Sequence, residues 1–346
     1  MSEMDIPIQN IYYLLCYAWN KLEERDIVSV SQVDKDKVID LFAKVLNTGI
    51  SYLIRKGLDR GYVLHVEETG TIRGKIGFAS TLRKYFFRQP KICCEYDELS
   101  HNVLHNQILK STLRMLIYCE DVDDSVHEEL LLVYRKLHGI DEIPLRKKHF
   151  HLVQLNRNNY FYDFLLKICE LVMENLLVSE VSGKSKFRDF LQEERAMSSL
   201  FEEFVRSFYK REQSTFKVSR ENIPWDAIPI NMVSAEALPS MQTDISLSSD
   251  NRKMIIDTKY YKNALQRYYD KEKIHSDNLY QLFAYLKNLE PLGEENIHCE
   301  GILLYPTVEK ELNLQYDVQG HRISIRTINL NQDWKRIHNS LLEILN

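Results

Sequence analysis

Two aspartates and a lysine are spaced so that they could meet at one end of a β-hairpin. Asp244 lies in an apolar, β-prone stretch, and Asp257 and Lys259 end the next such stretch. Asp250 and Asn251, between the two stretches, favour a turn. With the turn centred between them, residues whose numbers sum to 501 lie opposite each other, so that Asp244 faces Asp257. Opposed Cβ atoms in an antiparallel pair lie about 4.5–5.5 Å apart, and the two carboxylates could therefore share one divalent cation.

This arrangement restricts the chemistry that the hairpin could perform. Asp257 and Lys259 are two residues apart on a strand and so point to the same face. Mg²⁺ takes oxygen ligands and keeps several waters, so two carboxylates and a substrate phosphate suit it, and it can polarise a phosphoryl oxygen and acidify a bound water. Lys259 could hold or deprotonate the attacking water, or balance charge on the phosphorus. The pattern predicts metal-dependent phosphodiester hydrolysis; the alternative is a solvated hairpin with ordinary surface charges.

The flanking segments predict the elements that position the hairpin. Apolar residues recur at helical spacing over 197–208, with Glu202 beside this stripe. Downstream, a second amphipathic helix carries Gln281 and Tyr285, which are four residues apart and share one face. The apolar run Gly301–Pro306 then fits a buried strand. The order is helix, three strands, helix, strand, which predicts an α/β (α+β) fold with a mixed sheet.

This order resembles the core of PD-(D/E)xK nucleases. The resemblance implies that Asp244 and Asp257 are metal ligands, together with the backbone carbonyl of Thr258, and that Lys259 is the catalytic lysine. Thr243 stands where the motif's proline would precede the first aspartate, so the chain departs from the pattern at that letter.

The second predicted helix, with Gln281 and Tyr285, resembles the variant of this core that carries Q-x-x-x-Y. The resemblance implies that Glu202 is the acid of the first helix, with Glu203 as the alternative. It also implies that Gln281 and Tyr285 support either the site or the DNA backbone. Residues 252–273 contain seven basic and three acidic residues, Lys262 among the basic ones. They predict a basic rim that contacts DNA phosphates, or alternatively a solvated charged loop.

Further motifs narrow the resemblance to one family. Residues 8–19 read I-x-N-I-Y-Y-L-L-x-Y-A-W, which resembles the opening of McrC subunits of modified-cytosine restriction systems. Other matching segments follow along the chain: Arg73–Phe78, Asp97–Leu99, Asn106–Leu113, Tyr134–Ile140 and His275–Leu282. The resemblance therefore spans nearly the whole chain.

Membership in this family would imply a two-component machine. The expected partner is an McrB-like AAA+ GTPase hexamer, which binds GTP and reads the modified base. The first part of this chain would dock on that partner and stimulate its GTPase, and the second part would cut double-stranded DNA with Mg²⁺. Nuclease domains would pair during cleavage. Arg73, Lys75, Arg83, Arg135 and Lys136 are the candidate basic residues of the docking part.

Composition and loops set the expected organisation. At 346 residues the chain is long enough for two domains. A polar loop at Asn156–Asn159 predicts a docking domain over 1–157 and an endonuclease domain over 158–346. Gly183–Ser185 resembles the end of a phosphate-binding loop, but Val178 holds a position where that motif requires glycine. We therefore expect GTP to be bound by the partner and not by this chain.

Other features exclude several classes of protein. No run of 18 apolar residues and no basic, apolar N-terminus are present, so neither a membrane span nor a signal peptide is expected. The six cysteines form no C-x-x-C pair, which predicts reduced core cysteines in a cytoplasmic protein. His149 and His151 fall on a predicted strand without nearby sulfur partners, which argues against zinc. Two other functions stay open: a non-catalytic adaptor of an AAA+ motor, and a stand-alone DNA repair nuclease.

Overall fold

A computed structural model describes most of the chain and divides it into two compact units. The described residues are 6–21, 37–77, 92–156, 159–178, 185–188, 191, 193–228, 238–260, 265–268, 271–307 and 311–346. One unit, here called the helical unit, comprises Ile27–Val33 and Lys37–Arg188. The other, here called the sheet unit, comprises Met1–Asp26, Asp34–Asp36 and Asp189–Asn346.

The first helix, α1 (Ile8–Ala18), belongs to the sheet unit. The elements of the helical unit follow it in the chain: α2 (Val38–Lys56), β1 (Gly61–Thr69), β2 (Lys75–Ile76), β3 (Ile92–Ser100), α3 (Leu104–Ile117), α4 (Asp124–Lys136), α5 (Lys147–Leu152), α6 (Tyr160–Asn175), β4 (Leu176–Val178) and β5 (Ser185–Phe187). Strands β1, β3 and β2 form an antiparallel sheet in that order, and β4 pairs with β5.

The predicted strand at His149 and His151 is wrong, because both residues lie in helix α5. The alternation of polar and apolar residues there is short, and contacts of this segment with α3 and α6 outweigh it. All six cysteines are buried and unpaired by disulfides, as the sequence predicts. No helix of the described segments is long and apolar enough to cross a membrane.

The sheet unit is built from the remaining elements. They are α7 (Glu194–Glu212), β6 (Lys217–Ser219), β7 (Asn222–Ile223), β8 (Met241–Gln242), β9 (Ile245–Ser248), β10 (Lys253–Thr258), β11 (Leu265–Tyr268), β12 (Lys271–Ile274), α8 (Ser276–Leu289), β13 (Glu300–Thr307), β14 (Asn313–Val318), β15 (His321–Asn329) and α9 (Trp334–Glu343). Six strands form one sheet in the order β14-β15-β13-β10-β9-β6. Strand β13 runs parallel to both β10 and β15, and the other pairs are antiparallel. When only the strands of this six-stranded sheet are counted, the order α7-β6-β9-β10-α8-β13 matches the predicted helix, three strands, helix and strand; β7 with β8 and β11 with β12 form separate two-stranded sheets.

The hairpin of β9 and β10 has the predicted register. Each of its four pairs, from Lys253 opposite Ser248 to Ile256 opposite Ile245, has numbers that sum to 501. The turn closes where the amide of Ser249 donates to the carbonyl of Arg252 at 2.9 Å. The last pair stops one residue short of Asp244, so this aspartate lies just beyond the ladder.

Helix α8 lies close against the sheet because of one glycine. A Cβ atom at Gly301 of β13 would come within 2.9 Å of Leu286 and 3.0 Å of Leu282. Both leucines are fully buried on α8. The missing side chain therefore allows the approach that brings Gln281 and Tyr285, on the same helix, to the end of β10.

The division into units differs from the predicted boundary at 157 and 158. Helix α1 packs on α7, and helix α6 packs with α2 and α3 in the helical unit. Asn10 of α1 donates 2.8 Å hydrogen bonds to the carbonyls of Leu330 and Gln332, and Tyr17 donates to Glu212 at 2.8 Å. The N-terminal helix is thus part of the unit that carries the hairpin.

This packing predicts a stability effect at Asn10. Asn10→Ala removes the donors of two hydrogen bonds at a buried position, and we expect the free energy of unfolding to fall by about 1–3 kcal/mol. Gln9→Ala, on the exposed side of the same helix, should change it by less than about 0.5 kcal/mol. Chemical denaturation of the full-length chain measures both. Equal, small effects of the two substitutions would contradict the assignment of α1 to the sheet unit.

Candidate active site

Asp257 is the second-last residue of strand β10 and lies inside the protein. Its side chain is fully buried, and no described residue donates a hydrogen bond of good geometry to either carboxylate oxygen. The ammonium group of Lys259 lies 2.8 Å from Oδ2. Burial raises the pKa of Asp257 to about 7 in spite of this lysine, and the charge of Asp244 contributes to the rise. The carboxylate therefore attracts further positive charge.

Asp244 is held against the end of the same strand. Its Oδ2 accepts hydrogen bonds from the backbone nitrogen of Thr258 at 2.8 Å and from the Thr258 hydroxyl at 2.9 Å. Burial raises the pKa of Asp244, and the charge of Glu202 raises it further. The amide and hydroxyl of Thr258 thus orient Asp244. That the carbonyl of Thr258 is a metal ligand stays a prediction.

A chain of hydrogen bonds fixes the direction of Lys259. Its Nζ donates to Oε1 of Gln281 at 3.0 Å, and Nε2 of Gln281 donates to the Tyr285 hydroxyl at 2.6 Å. That hydroxyl donates to the carbonyl of Gln242 at 3.0 Å. Burial raises the pKa of the Tyr285 hydroxyl, which favours its role as a donor. In the structure Gln281 therefore contacts Lys259 directly, and Tyr285 contacts Gln281.

The two candidate acids of helix α7 face different surroundings. The charge of Glu202 raises the pKa values of both Asp244 and Asp257, which places it within electrostatic reach of the two aspartates. The side chain of Glu203 is more exposed than that of Glu202, and it contacts both Arg206 and Ser207. Of the two, the structure brings Glu202 to the site.

Comparison with known proteins identifies the family of the chain. The profile of the family described as "McrBC 5-methylcytosine restriction system component" matches residues 8–306. The "Type IV methyl-directed restriction enzyme EcoKMcrBC" of Escherichia coli (strain K12) is 36% identical over 344 residues, which are 99% of this chain and 98% of that protein. The chain belongs to the McrBC family. The resemblance predicted from its sequence motifs is thereby confirmed.

One solved structure shares the fold of this McrBC-family chain. It is the refined half-complex from the tetradecameric assembly of Thermococcus gammatolerans McrB AAA+ hexamers with bound McrC. It matches with a TM-score of 0.60 and 18% identity, over 97% of this chain and 76% of that chain. A cryo-EM structure of the Thermococcus gammatolerans McrBC complex matches more distantly, with a TM-score of 0.43, 20% identity, and coverage of 61% and 60%. At these identities the first match bears on the fold alone.

Two arginines of this McrBC-family chain join the site without having been singled out in the sequence. Arg206 donates to Glu202 at 2.8 Å and to the backbone carbonyl of Asp244 at 3.1 Å. Arg220 also contacts Glu202. The spacing of Glu202 and Arg206, four residues apart on a helix, is a signal that could have identified the first arginine. Arg220 has no comparable signal, because its position depends on the pairing of β6 with β9.

The structure describes only some residues of the predicted basic rim. Lys262 lies outside the described residues, and so does Arg83 of the docking part. Arg252 and Lys253 lie at the turn end of β10, away from Asp257, and pair with Glu300 and Glu221 respectively. Gly183 and Lys184 also lie outside the described residues, while Ser185 begins β5.

The donor set of this McrBC-family chain fits a divalent cation of the Mg²⁺ type. The carboxylate of Asp257 is fully buried with the Lys259 ammonium 2.8 Å from Oδ2, and Asp244 is hydrogen-bonded to the next residue, Thr258. No group of three or more His, Cys, Asp or Glu side chains converges as a complete metal cluster in the described part of the chain. Two carboxylates nevertheless suffice for Mg²⁺, because it keeps waters and takes a substrate phosphate as ligand.

The raised pKa of Asp257 predicts a pH-dependent cost in metal-free protein. The folded state binds this proton more tightly than the unfolded chain, so the contribution to stability is present below about pH 4 and is lost as the pH rises through about 7. Each unit of pKa difference corresponds to about 1.4 kcal/mol. Asp257→Asn should therefore be more stable than wild type at pH 8, with an advantage that shrinks towards pH 4.

Thermal unfolding in EDTA measures this effect, with Asp250→Asn at the exposed hairpin turn as the matched control. Added Mg²⁺ should raise the Tm of wild type at pH 8 and leave Asp257→Asn unchanged. A variant that is less stable than wild type by the same amount at both pH values would refute the electrostatic account.

Proposed function

We propose that this chain is the DNA-cleaving subunit of a GTP-dependent, methylcytosine-directed restriction endonuclease, and that it hydrolyses phosphodiester bonds with Mg²⁺. The observation that carries this proposal is the meeting of Asp244, Asp257 and Lys259 at the ends of adjacent strands, in a chain of the McrBC family. The relative in Escherichia coli is a methyl-directed restriction enzyme by name, which supports the same chemistry here.

The sheet unit would then be a PD-(D/E)xK nuclease domain. Support comes from the order of its elements, helix, three strands, helix and strand, and from the place of the acidic residues within it. Asp244 immediately precedes β9, the first strand of the hairpin, and Asp257 and Thr258 are the last two residues of β10, with Lys259 directly after them. Gln281 and Tyr285 on α8 occupy the positions of the Q-x-x-x-Y pair.

In this proposal Asp244 and Asp257 hold the ion, with the carbonyl of Thr258 as a further ligand and Glu202 as the acid of the first helix. Mg²⁺, when bound, supplies positive charge that polarises a phosphoryl oxygen and makes water more acidic. Thr258 holds the Asp244 carboxylate at the end of β10 through the two hydrogen bonds to Oδ2. This preorganisation means that the carboxylates need not rearrange as the substrate arrives.

Lys259 is the residue that would act on the reacting groups. During hydrolysis an oxygen of water forms a bond to phosphorus, one P–O ester bond breaks, and the departing oxygen takes up a proton. Lys259 either holds the attacking water, accepts its proton, or balances the negative charge that builds on the phosphoryl oxygens. All three roles need a fixed Nζ, and the contact with Gln281 provides it.

The partner in this proposal is an McrB-like AAA+ GTPase hexamer. The solved structure that shares the fold contains McrB AAA+ hexamers with bound McrC, which supports an assembly of the same kind. The helical unit would dock on the hexamer and stimulate its GTPase, and the hexamer would recognise methylated cytosine in DNA. The assembly would act in the cytoplasm, and two nuclease domains would pair for double-strand cleavage.

Asp257→Ala separates the two proposed activities. Loss of this metal ligand should abolish cleavage of methylated plasmid DNA with Mg²⁺, GTP and the AAA+ partner, by at least about 100-fold, because the cation loses its buried anchor. Stimulation of the partner's GTPase should stay within about twofold of wild type. Asp250→Ala, at the exposed turn of the same hairpin, is the matched control and should cut normally.

Other outcomes of this assay would favour the alternative functions. Equal cleavage by wild type and Asp257→Ala would mean that the site assignment is wrong. GTPase stimulation without cleavage by wild type would favour the adaptor function. Cleavage that needs neither GTP nor partner would favour a stand-alone nuclease.

Substitution of Tyr285 tests whether the helix pair supports the lysine or contacts DNA. Tyr285→Phe removes the hydroxyl that fixes Gln281, so Lys259 should lose its direction and kcat should fall about 10- to 100-fold. Affinity for duplex DNA should remain within about twofold. Single-turnover cleavage and fluorescence anisotropy measure the two quantities. A loss of affinity with an unchanged rate constant would instead indicate a direct contact with the DNA backbone.

A further inference from the structure

Glu202 is held by two arginines that differ in burial. Its Oε1 accepts a hydrogen bond from Nη1 of Arg206 at 2.8 Å and contacts Nη2 of Arg220. The Arg206 side chain is 7% exposed, whereas that of Arg220 is 41% exposed. One carboxylate oxygen near the two aspartates therefore lies between an arginine inside the protein and an arginine at its surface.

Arg206 is fixed in place by the protein itself. Its guanidinium also contacts Glu203 and donates to the carbonyl of Asp244 at 3.1 Å. A buried charge that loses such partners is strongly destabilising. Arg206 is therefore a positioning residue, which ties helix α7 to the segment of Asp244, and it is not available to a ligand.

Arg220 combines a fixed backbone with an exchangeable side chain. Just before it, Ser219 of β6 lies opposite Ser246 of β9, and just after it the amide of Glu221 donates to the Thr243 hydroxyl at 3.0 Å. In the described part of the chain, Glu202 is the partner of its guanidinium. Ion pairs at this degree of exposure are weak and readily exchanged.

The charges of the site favour such an exchange when substrate arrives. A cation held by Asp244 and Asp257 would attract the carboxylate of Glu202 and repel the guanidinium beside it. A DNA phosphate at the same place would attract that guanidinium, because its planar N–H groups bind phosphate oxygens in a bidentate manner. Both effects move Arg220 away from Glu202 and towards the DNA.

We propose that Arg220 is a DNA-phosphate contact of the nuclease site. When duplex DNA binds, its guanidinium leaves Glu202 for a phosphate oxygen, while Glu202 stays hydrogen-bonded to Arg206. This inference rests on the proposed nuclease function, and it assigns to Arg220 the recognition of the phosphate backbone of either strand, independent of base sequence.

The test is DNA binding by the full-length chain as a function of salt concentration. A fluorescein-labelled duplex is titrated with protein in Ca²⁺, which takes the same oxygen ligands as Mg²⁺, and anisotropy gives the affinity. The proteins are wild type, Arg220→Ala, Arg220→Lys and Arg211→Ala. Arg211 is the matched control, since its side chain is 42% exposed on α7 and its ion-pair partner is Glu212.

Arg220→Ala should bind about 5- to 10-fold more weakly at low salt. Its plot of log affinity against log salt should be shallower by about 0.9, the slope lost with one phosphate contact. Arg220→Lys keeps the charge and should keep the slope, with a smaller loss of affinity. Arg211→Ala should match wild type, and all four proteins should melt at nearly the same temperature.

One result would overturn the inference: Arg220→Ala, like Arg211→Ala, gives the same affinity and slope as wild type. Cleavage by Asp257→Ala, measured in parallel, separates this failure from a failure of the proposed function. If Asp257→Ala does not cut but the slopes agree, the Arg220 inference alone is wrong; if Asp257→Ala cuts like wild type, both are wrong.

Discussion

The carboxylate of Asp257 is fully buried at the end of a strand, and the arrangement of its neighbours is best understood from that constraint. A carboxylate removed from water stays ionised only beside compensating positive charge. Lys259 supplies one such charge at 2.8 Å, yet the pKa of Asp257 is still raised to about 7. The remaining attraction is of the kind that a divalent cation satisfies, because hard cations take carboxylate oxygens as ligands.

Each ionisable group around Asp257 comes from a different element and has its own orienting partner. Thr258 orients Asp244, and Arg206 holds Glu202 on helix α7. On helix α8, Gln281 directs the ammonium of Lys259. Helix α7 precedes the hairpin in the chain and helix α8 follows it. The hairpin is therefore flanked by side chains from both helices, Glu202 from α7 and Gln281 from α8. Supporting contacts of this type hold the side chains of a catalytic site within the narrow range of positions that catalysis requires.

The sequence was sufficient for those parts of the site that depend on local periodicity. The hairpin register follows from a two-residue period and one turn, so the pairing of Ile245 with Ile256 could be predicted without a structure, whereas the predicted pair of Asp244 with Asp257 lies beyond the end of the ladder. The boundary between the units could not be predicted, because the partner of helix α1 is α7, which lies almost 180 residues downstream by number. The contact of Arg220 with Glu202 could not be predicted for the same reason, because it depends on the pairing of β6 with β9. Contacts between distant segments leave no periodic pattern.

The central claim is that Asp244 and Asp257 hold a divalent cation. The most direct measurement is anomalous diffraction from crystals of the full-length chain soaked in Mn²⁺, which takes oxygen ligands as Mg²⁺ does. The account predicts an anomalous peak about 2.0–2.3 Å from carboxylate oxygens of both Asp244 and Asp257. A data set in which Mn²⁺ occupies other acidic surfaces, with no peak beside Asp257, would contradict it.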